Sequence, residues 1–115
     1  MQKLQDKRIL LVEDESLIAL DVMNELQGEG AAVSVVPTVT AALIAIQSAP
    51  IDAAVVDHAL QDGDGSEVCR KLHEKQIPFV TYSGHLQLSG ECQMAPHVSK
   101  PAVPGEIAQA IARLF

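Results

Sequence analysis

The chain has 115 residues, of which 48% are hydrophobic and 3% aromatic, and its formal net charge is −7. A chain of this length can bury one core and is near the commonest size of a single domain. The acidic balance argues against nucleic-acid binding through phosphate contacts and against attachment to an anionic membrane surface. No apolar run approaches the roughly 20 residues that a membrane span needs, and the N-terminus lacks the apolar stretch of a signal peptide.

These features predict a cytoplasmic protein. In that compartment the two cysteines, Cys69 and Cys92, are expected to be reduced thiols, because disulfides are rare there. The cysteines do not form a CxxC pair, and the four histidines lack the spacing of metal ligands.

Short apolar runs alternate with helical patterns along the chain, after an N-terminal tail of residues 1–7. The apolar runs predict strands over residues 8–12, 33–36, 52–57, 78–83 and 97–99, and the helical patterns predict helices between them and over residues 104–115. Continuous apolar runs such as DAAVVD suit strands that are covered on both faces, and such strands are parallel. Residues 8–115 are therefore predicted to form one α/β domain, a single open, doubly wound parallel five-stranded sheet with helices on both faces.

Unusual polar residues stand where the predicted strands end: Glu13, Asp14, Asp57, Ser83 and Lys100. In open parallel sheets, ligands bind at these carboxyl ends. Three converging carboxylates resist ionisation, and a hard dication such as Mg²⁺ removes the conflict. Lys100 adds a positive charge that can bind a phosphoryl oxygen. Asp57 could instead cap a helix or turn, and the acid pair could be a solvated helix N-terminus, but their combination favours a site.

Four motifs in this order make the chain resemble the receiver domain of two-component response regulators, over nearly its whole length. They are the acid pair in LLVEDES, Asp57 in AAVVDHAL, the hydroxyl and glycine in YSGH, and Lys100 before Pro101 in SKP. The resemblance implies the flavodoxin-like receiver fold. It also implies that Asp57 accepts a phosphoryl group from a histidine kinase or a histidine phosphotransfer protein.

The same resemblance implies a set of metal ligands. Asp14 and Asp57 would bind Mg²⁺ directly, and Glu13 would act through a water molecule. The main-chain carbonyl of Ala59 would be a further ligand.

The resemblance also assigns a switch. Ser83 takes the place of the family's switch hydroxyl, and Lys100 that of its lysine. His97 stands where the switch aromatic is usually found, so a swing of this side chain could depend on pH. Gln61 replaces a proline that is usual in the family, which leaves the loop after the phosphoacceptor less rigid.

The first helix carries a candidate contact for a partner. Leu17 lies off the apolar stripe of this helix, beside the acid pair, and Asp21 and Asn24 continue the same side. An exposed apolar residue there would suit contact with the kinase helix that bears the donor histidine. The alternative is an isolated surface leucine, which needs no explanation.

The segment between Ser83 and Lys100 departs from the family, which normally has a full fourth helix here. Only sixteen residues separate the two positions, and they must also supply two loops and most of the fifth strand. Gly84 and Gly90 lower helix propensity, and Pro96 prevents a helix from running into the strand. The fourth helix is therefore predicted to be short or missing, and the segment to be mobile.

Two other classes of function remain as alternatives. A receiver-like adaptor that binds proteins without phosphorylation would be expected to lack an acid, the lysine or the hydroxyl, and none is missing. A Mg²⁺-dependent phosphatase with an aspartate nucleophile needs a second aspartate where Ala59 stands. We therefore expect a phosphoacceptor and not an enzyme, beyond self-phosphorylation and autodephosphorylation. The sequence leaves the kinase and the downstream protein partner open.

Overall fold

A five-stranded sheet forms the centre of the computed structural model, which describes residues 3–84 and 90–115. The strands are β1 (Arg8–Val12), β2 (Ala32–Val36), β3 (Ala53–Val56), β4 (Phe79–Ser83) and β5 (His97–Ser99). They are all parallel and have the spatial order β2-β1-β3-β4-β5. This order confirms the predicted open, doubly wound sheet.

Four α-helices cover the sheet in the described residues. They are α1 (Ser16–Gly28), α2 (Val39–Ser48), α3 (Ser66–Glu74) and α4 (Glu106–Ala112). The last helix begins two residues later than the sequence pattern predicts. Gly105 has a φ of +87°, which lies in the left-handed region and cannot continue a right-handed helix, so α4 begins after it.

The residues of β1 alternate between two apolar cores, one on each face of the sheet. Ile9 and Leu11 pack in the core that contains buried residues of α1 and α4. Leu10 and Val12 pack in the core that contains buried residues of α2 and α3. Burial on both faces explains why these strands read as continuous apolar runs.

Part of the predicted N-terminal tail packs against the domain. Leu4 is fully buried in the core under α1 and α4, and its N–H donates a hydrogen bond to the Glu29 carbonyl at 2.9 Å. The division at residue 8 stays a prediction.

Cys69 and Cys92 form a disulfide, so the prediction of two reduced thiols is wrong. Cys69 lies in α3 and Cys92 in a short 3₁₀ helix (Gly90–Met94), and both are fully buried. Their Cα atoms are 5.2 Å apart, within the range that a disulfide spans. The prediction rested on compartment alone, whereas pairing depends on a proximity between positions 23 residues apart that the sequence does not reveal.

The 3₁₀ helix (Gly90–Met94) is the only helical element described between Gly84 and Pro96. For the described residues, this confirms the prediction that the fourth helix is short or missing. Residues 85–89 lie outside the described residues, and the mobility of the segment stays a prediction.

None of the helices in the described parts of the chain combines the length and the apolar character that crossing a membrane requires.

Candidate functional site

The ends of β1 and β3 bring the acidic residues together. The two strands are neighbours, with Val12 paired to Val56, so the residues that follow each strand emerge side by side. The Asp57 N–H donates to the Val12 carbonyl at 2.9 Å, which holds the aspartate against the end of β1. In the sheet, β2 lies on one side of β1 and β3 on the other, so the chain reverses its direction of winding at β1. Ligands of open parallel sheets bind at such a topological switch point.

Three carboxylates converge at this point. Glu13, Asp14 and Asp57 each offer one oxygen, and these oxygens lie within 4.8 Å of one another. Glu13 and Asp57 are only 2% and 3% exposed, and Asp14 is half-buried. Such a group of hard oxygen donors could hold a divalent cation, whose charge would offset the repulsion between them.

Lys100 supplies the positive charge of the site. Its Nζ lies 3.1 Å from Oε1 of Glu13 and 3.2 Å from Oδ2 of Asp57, and its side chain is 18% exposed. The residue follows β5, and its N–H donates to the Ser83 carbonyl at 3.1 Å, which fixes it beside the end of β4. The peptide bond between Lys100 and Pro101 is cis.

The electrostatics of the site couple these groups. Burial, and next a hydrogen bond between the carboxyl groups of Glu13 and Asp57, raise the pKa of Glu13 to about 7. Burial lowers the pKa of Lys100, but the hydrogen bond that Lys100 donates to Glu13 and the negative charges of Asp57 and Glu13 outweigh it, so the net direction is upward. Near neutral pH, Glu13 in the metal-free site is therefore partly protonated, and Lys100 stays charged.

The raised pKa of Glu13 predicts how the stability of the metal-free protein depends on pH. In the unfolded chain this pKa is near 4.5, so between pH 4.5 and 7 the folded protein binds more protons than the unfolded one. The free energy of unfolding should then fall as pH rises through this window, by about 3 kcal/mol. Urea unfolding in a chelator measures the slope. Glu13→Gln should remove most of it, and a slope that survives this substitution would assign the effect to another group.

Ser83 completes the row of polar residues at this edge. Its side chain is 1% exposed at the end of β4, which lies between β3 and β5. Of the residues singled out from the sequence, the structure thus groups the three acids and Lys100, with Ser83 on the intervening strand.

The loop after Asp57 forms a small antiparallel hairpin, Ala59–Leu60 with Gly63–Asp64. The hairpin contains Gln61, which replaces the proline that is usual in the family at this position. Asp62 follows it and accepts hydrogen bonds from the N–H groups of Val39 and Thr40, at 2.8 and 3.1 Å. These bonds lower the pKa of Asp62 and tie the hairpin to the start of α2. The lower rigidity expected from Gln61 stays a prediction.

Gly65 packs against the backbone that carries Asp57. A Cβ atom at this position would lie 3.0 Å from the Asp57 carbonyl oxygen and 3.1 Å from Cγ1 of Val56. Gly65→Ala should therefore shift the loop after Asp57 and lower the free energy of unfolding by about 1–3 kcal/mol, measured by urea unfolding. Gly28→Ala is the matched control, because nothing lies within 4 Å of its new Cβ. Equal stabilities for the two variants would contradict the close packing.

The predicted switch and partner residues lie outside the acid cluster. His97 is exposed, and its Nδ1 lies 2.7 Å from Oγ1 of the buried Thr81, two residues before Ser83. Leu17 is 83% exposed on the first turn of α1, and Asp21 and Asn24 are exposed further along the helix.

Sequence reasoning missed two residues: Tyr82, which lies beside Lys100, and Glu25, which anchors the last helix. The Tyr82 ring lies 5.3 Å from the Lys100 Nζ, and its hydroxyl accepts a hydrogen bond from the Ala102 N–H at 3.3 Å. Glu25 in α1 accepts hydrogen bonds from the N–H groups of Gly105 and Ala108, which fixes the start of α4. The one available signal was that Tyr82 is the only tyrosine of the chain and directly precedes Ser83.

Comparison with known proteins places this geometry in a family. The profile of the response regulator receiver domain matches residues 9–112. The transcriptional regulatory protein CutR of Streptomyces coelicolor is 42% identical over 71 residues, which cover 62% of this chain and 33% of CutR. The chain thus spans about a third of the length of this relative.

Solved structures share the fold. A CheY-like receiver domain from Methanospirillum hungatei superposes with a TM-score of 0.84 at 25% identity, over 96% of this chain and 94% of that one. The receiver domain of the sensor histidine kinase PA1611 from Pseudomonas aeruginosa superposes with a TM-score of 0.81 at 23% identity, over 96% and 97%. That structure has a magnesium ion coordinated in its active-site cleft. The acid pair after β1, Asp57 after β3 and Lys100 after β5 stand on this shared fold, and the chain belongs to the response regulator receiver domain family.

Proposed function

We propose that Asp57 accepts a phosphoryl group from the phosphohistidine of a histidine kinase or of a histidine phosphotransfer protein. The observation that carries this proposal is a buried carboxylate at a sheet switch point, 3.2 Å from a lysine ammonium and within 4.8 Å of two further acids. Asp57 thus has its nucleophilic oxygen beside a cation that can receive a phosphoryl oxygen.

The acid cluster suits Mg²⁺ as the cofactor. In this proposal Asp14 and Asp57 bind the ion directly, Glu13 binds it through water, and the Ala59 carbonyl is a further ligand. The residue types support it, because Mg²⁺ takes few carboxylates together with carbonyls and waters. The magnesium in the cleft of the Pseudomonas aeruginosa receiver domain supports it as well. When bound, the ion neutralises charge on the phosphoryl oxygens.

The transfer itself needs a nucleophile and positioned charge. An Asp57 oxygen attacks phosphorus, the phosphorus–nitrogen bond of the donor breaks, and the imidazole leaves with the electron pair. The product is an aspartyl phosphate, a mixed anhydride. Lys100 loses its ion pair with the carboxylate and gains one with a phosphoryl oxygen, so its charge stays compensated throughout.

The phosphoryl group then acts as a new hydrogen-bond acceptor at the strand ends. The Ser83 hydroxyl, on the neighbouring strand, would turn to it and pull the segment that follows. His97 on β5 is hydrogen-bonded to Thr81, which lies on the same strand as Ser83. His97 would therefore respond as the second element of the switch. A short fourth helix would make ordering or displacement of this segment, rather than rotation of a rigid helix face, the output signal.

The wider setting of the domain belongs to the same proposal. We infer a receiver domain over residues 8–115 that works in the cytoplasm and has no catalytic activity beyond its own phosphorylation and dephosphorylation. Its input would be a kinase or phosphotransfer protein, and its output a protein contact. Net charge −7 disfavours direct contact with nucleic acid or an anionic membrane.

Leu17 provides a test of partner docking. An 83% exposed leucine one turn from the acids, continued by Asp21 and Asn24, would suit the apolar face of a donor helix. Leu17→Ala should slow transfer from the cognate kinase by roughly tenfold, a loss of about 1.4 kcal/mol, and leave labelling by acetyl phosphate unchanged. Ile44→Ala, on the exposed surface of α2, is the matched control. Unchanged transfer by the Leu17 variant would identify an isolated surface leucine.

Beryllofluoride, which mimics a phosphoryl group, tests the proposed function without a kinase. Added with Mg²⁺ and followed by NMR, it should shift the amide signals of Asp57, Asp14, Ser83 and Lys100 first. Asp57→Ala should abolish these changes. A wild-type spectrum that does not respond would favour the alternative of an adaptor that binds proteins without phosphorylation.

A further inference from the structure

The disulfide joins two parts of the domain that have different places in signalling. Cys69 lies in α3, which directly follows the hairpin after Asp57. Cys92 lies in the 3₁₀ helix (Gly90–Met94) of the segment that follows Ser83. Both side chains are fully buried, and the Cα atoms are 5.2 Å apart, so the cross-link fixes the 3₁₀ helix against α3.

The cross-link also reaches the backbone of the phosphoacceptor loop. Sγ of Cys92 lies 3.5 Å from the carbonyl oxygen of Gly65. Gly65 in turn packs so closely that a Cβ atom there would lie 3.0 Å from the Asp57 carbonyl oxygen, and its N–H donates to the His58 carbonyl at 2.7 Å. Gly65 therefore lies between Cys92 and the backbone of residues 57 and 58.

The segment that contains Cys92 lies between the two residues of the proposed switch, Ser83 and His97. Ser83 ends β4 before it, and Pro96 after it accepts a hydrogen bond from the Thr81 N–H at 2.9 Å. If this segment is displaced from α3 when the Ser83 hydroxyl moves, Cys92 must move with it, because Cys92 lies in the 3₁₀ helix of the segment. A covalent bond between Cys69 and Cys92 opposes that displacement, and two thiols do not.

We propose that the Cys69–Cys92 pair is a redox modification site whose oxidised form disfavours the phosphorylated conformation of the domain. The coupling rests on the proposed function. Disulfides inside cells, where they occur, are usually transient and redox-sensing, which agrees with a cytoplasmic receiver domain. The reductant would be a dithiol, and because both cysteines are buried it would reach the bond when the 3₁₀ helix opens locally from α3. One of its thiolates then attacks a sulfur of the pair and breaks the S–S bond, and its second thiol closes the reductant's own disulfide. The domain gains two electrons and two protons as two thiols.

Coupling of this kind is reciprocal. If reduction favours the conformation that binds a phosphoryl group, then occupancy of the phosphoryl site must make the disulfide easier to reduce by the same factor. Both directions can be measured on the wild-type protein, so the proposal does not depend on a variant that folds poorly.

The test compares beryllofluoride binding, in the presence of Mg²⁺, by the air-oxidised and the dithiothreitol-reduced protein. Alkylation and intact mass verify the number of thiols in each sample. Isothermal calorimetry should show binding at least about fivefold tighter after reduction. The double variant Cys69→Ala/Cys92→Ala should bind like the reduced wild type and should not respond to dithiothreitol. In the reciprocal experiment, beryllofluoride should lower the dithiothreitol concentration needed for half-reduction by the same factor.

The outcomes separate this inference from the proposed function. Equal affinities for the oxidised and reduced forms would overturn the coupling and leave the phosphoacceptor role standing. Two alkylated thiols in the air-oxidised protein would overturn the redox site itself. Failure of both forms to bind would overturn the proposed function and, with it, the coupling.

Discussion

Asp57→Asn is expected to abolish labelling of the domain by acetyl phosphate and Mg²⁺, measured as the gain of one phosphoryl group in intact mass. The amide has nearly the shape of the carboxylate but lacks a nucleophilic oxygen, so no acyl phosphate can form. The substitution also removes one of the buried like charges, so the metal-free variant should be at least as stable as the wild type at pH 8.

Asp52→Asn is the matched control for this experiment. Asp52 precedes β3, at the opposite end of the strand from Asp57, and its carboxylate pairs with Arg8 at 3.3 Å. The control should be labelled as fast as the wild type. Labelling of Asp57→Asn at the wild-type rate, in folded protein, would show that another residue is the acceptor.

Lys100→Ala is expected to cause the largest loss of stability among the substitutions discussed. The ammonium group lies 3.1 and 3.2 Å from the carboxylates of Glu13 and Asp57, which are almost completely buried. Removing it leaves those charges without their cation, and breaking a buried pair in this way costs about 3–4 kcal/mol. The loss should appear in urea unfolding at pH 8 in a chelator. It should be smaller at pH 5, where Glu13, with its pKa near 7, is protonated.

The same substitution should slow labelling by acetyl phosphate by roughly tenfold or more, because a positioned charge on the phosphoryl oxygens is lost. Lys100→Arg is the control for charge. It should keep most of the stability and lose part of the labelling rate, because a planar guanidinium does not reproduce the point charge of an ammonium. A Lys100→Ala protein as stable as the wild type at pH 8 would contradict the electrostatic account of the site.

The sequence was sufficient for the sheet and for the main members of the site. Buried parallel strands demand continuous apolar runs, and the first polar residues after such runs must emerge at the sheet edge. This rule alone predicts that Glu13, Asp14 and Asp57 lie together. The short fourth helix followed equally directly, because Gly84, Gly90 and Pro96 limit helix formation in a short segment.

Contacts between distant parts of the chain were not predictable in this way. The disulfide joins residues 23 positions apart, and the contact from Glu25 to Gly105 spans 80. No local pattern marks either pair, since each depends on how α3 and α4 dock on the sheet. The hairpin after Asp57 was not predictable for another reason. Its strands have two residues each, too few for a period to be visible, and it is tied to α2 by Asp62.

Direct localisation of the phosphoryl group tests the central claim most directly. Wild-type protein labelled with acetyl phosphate and Mg²⁺ is treated with borohydride, which reduces an aspartyl phosphate to homoserine, and its peptides are sequenced by mass spectrometry. The account predicts homoserine at position 57 and aspartate retained at positions 14 and 52. Homoserine at any other acidic position, with Asp57 intact, would contradict it.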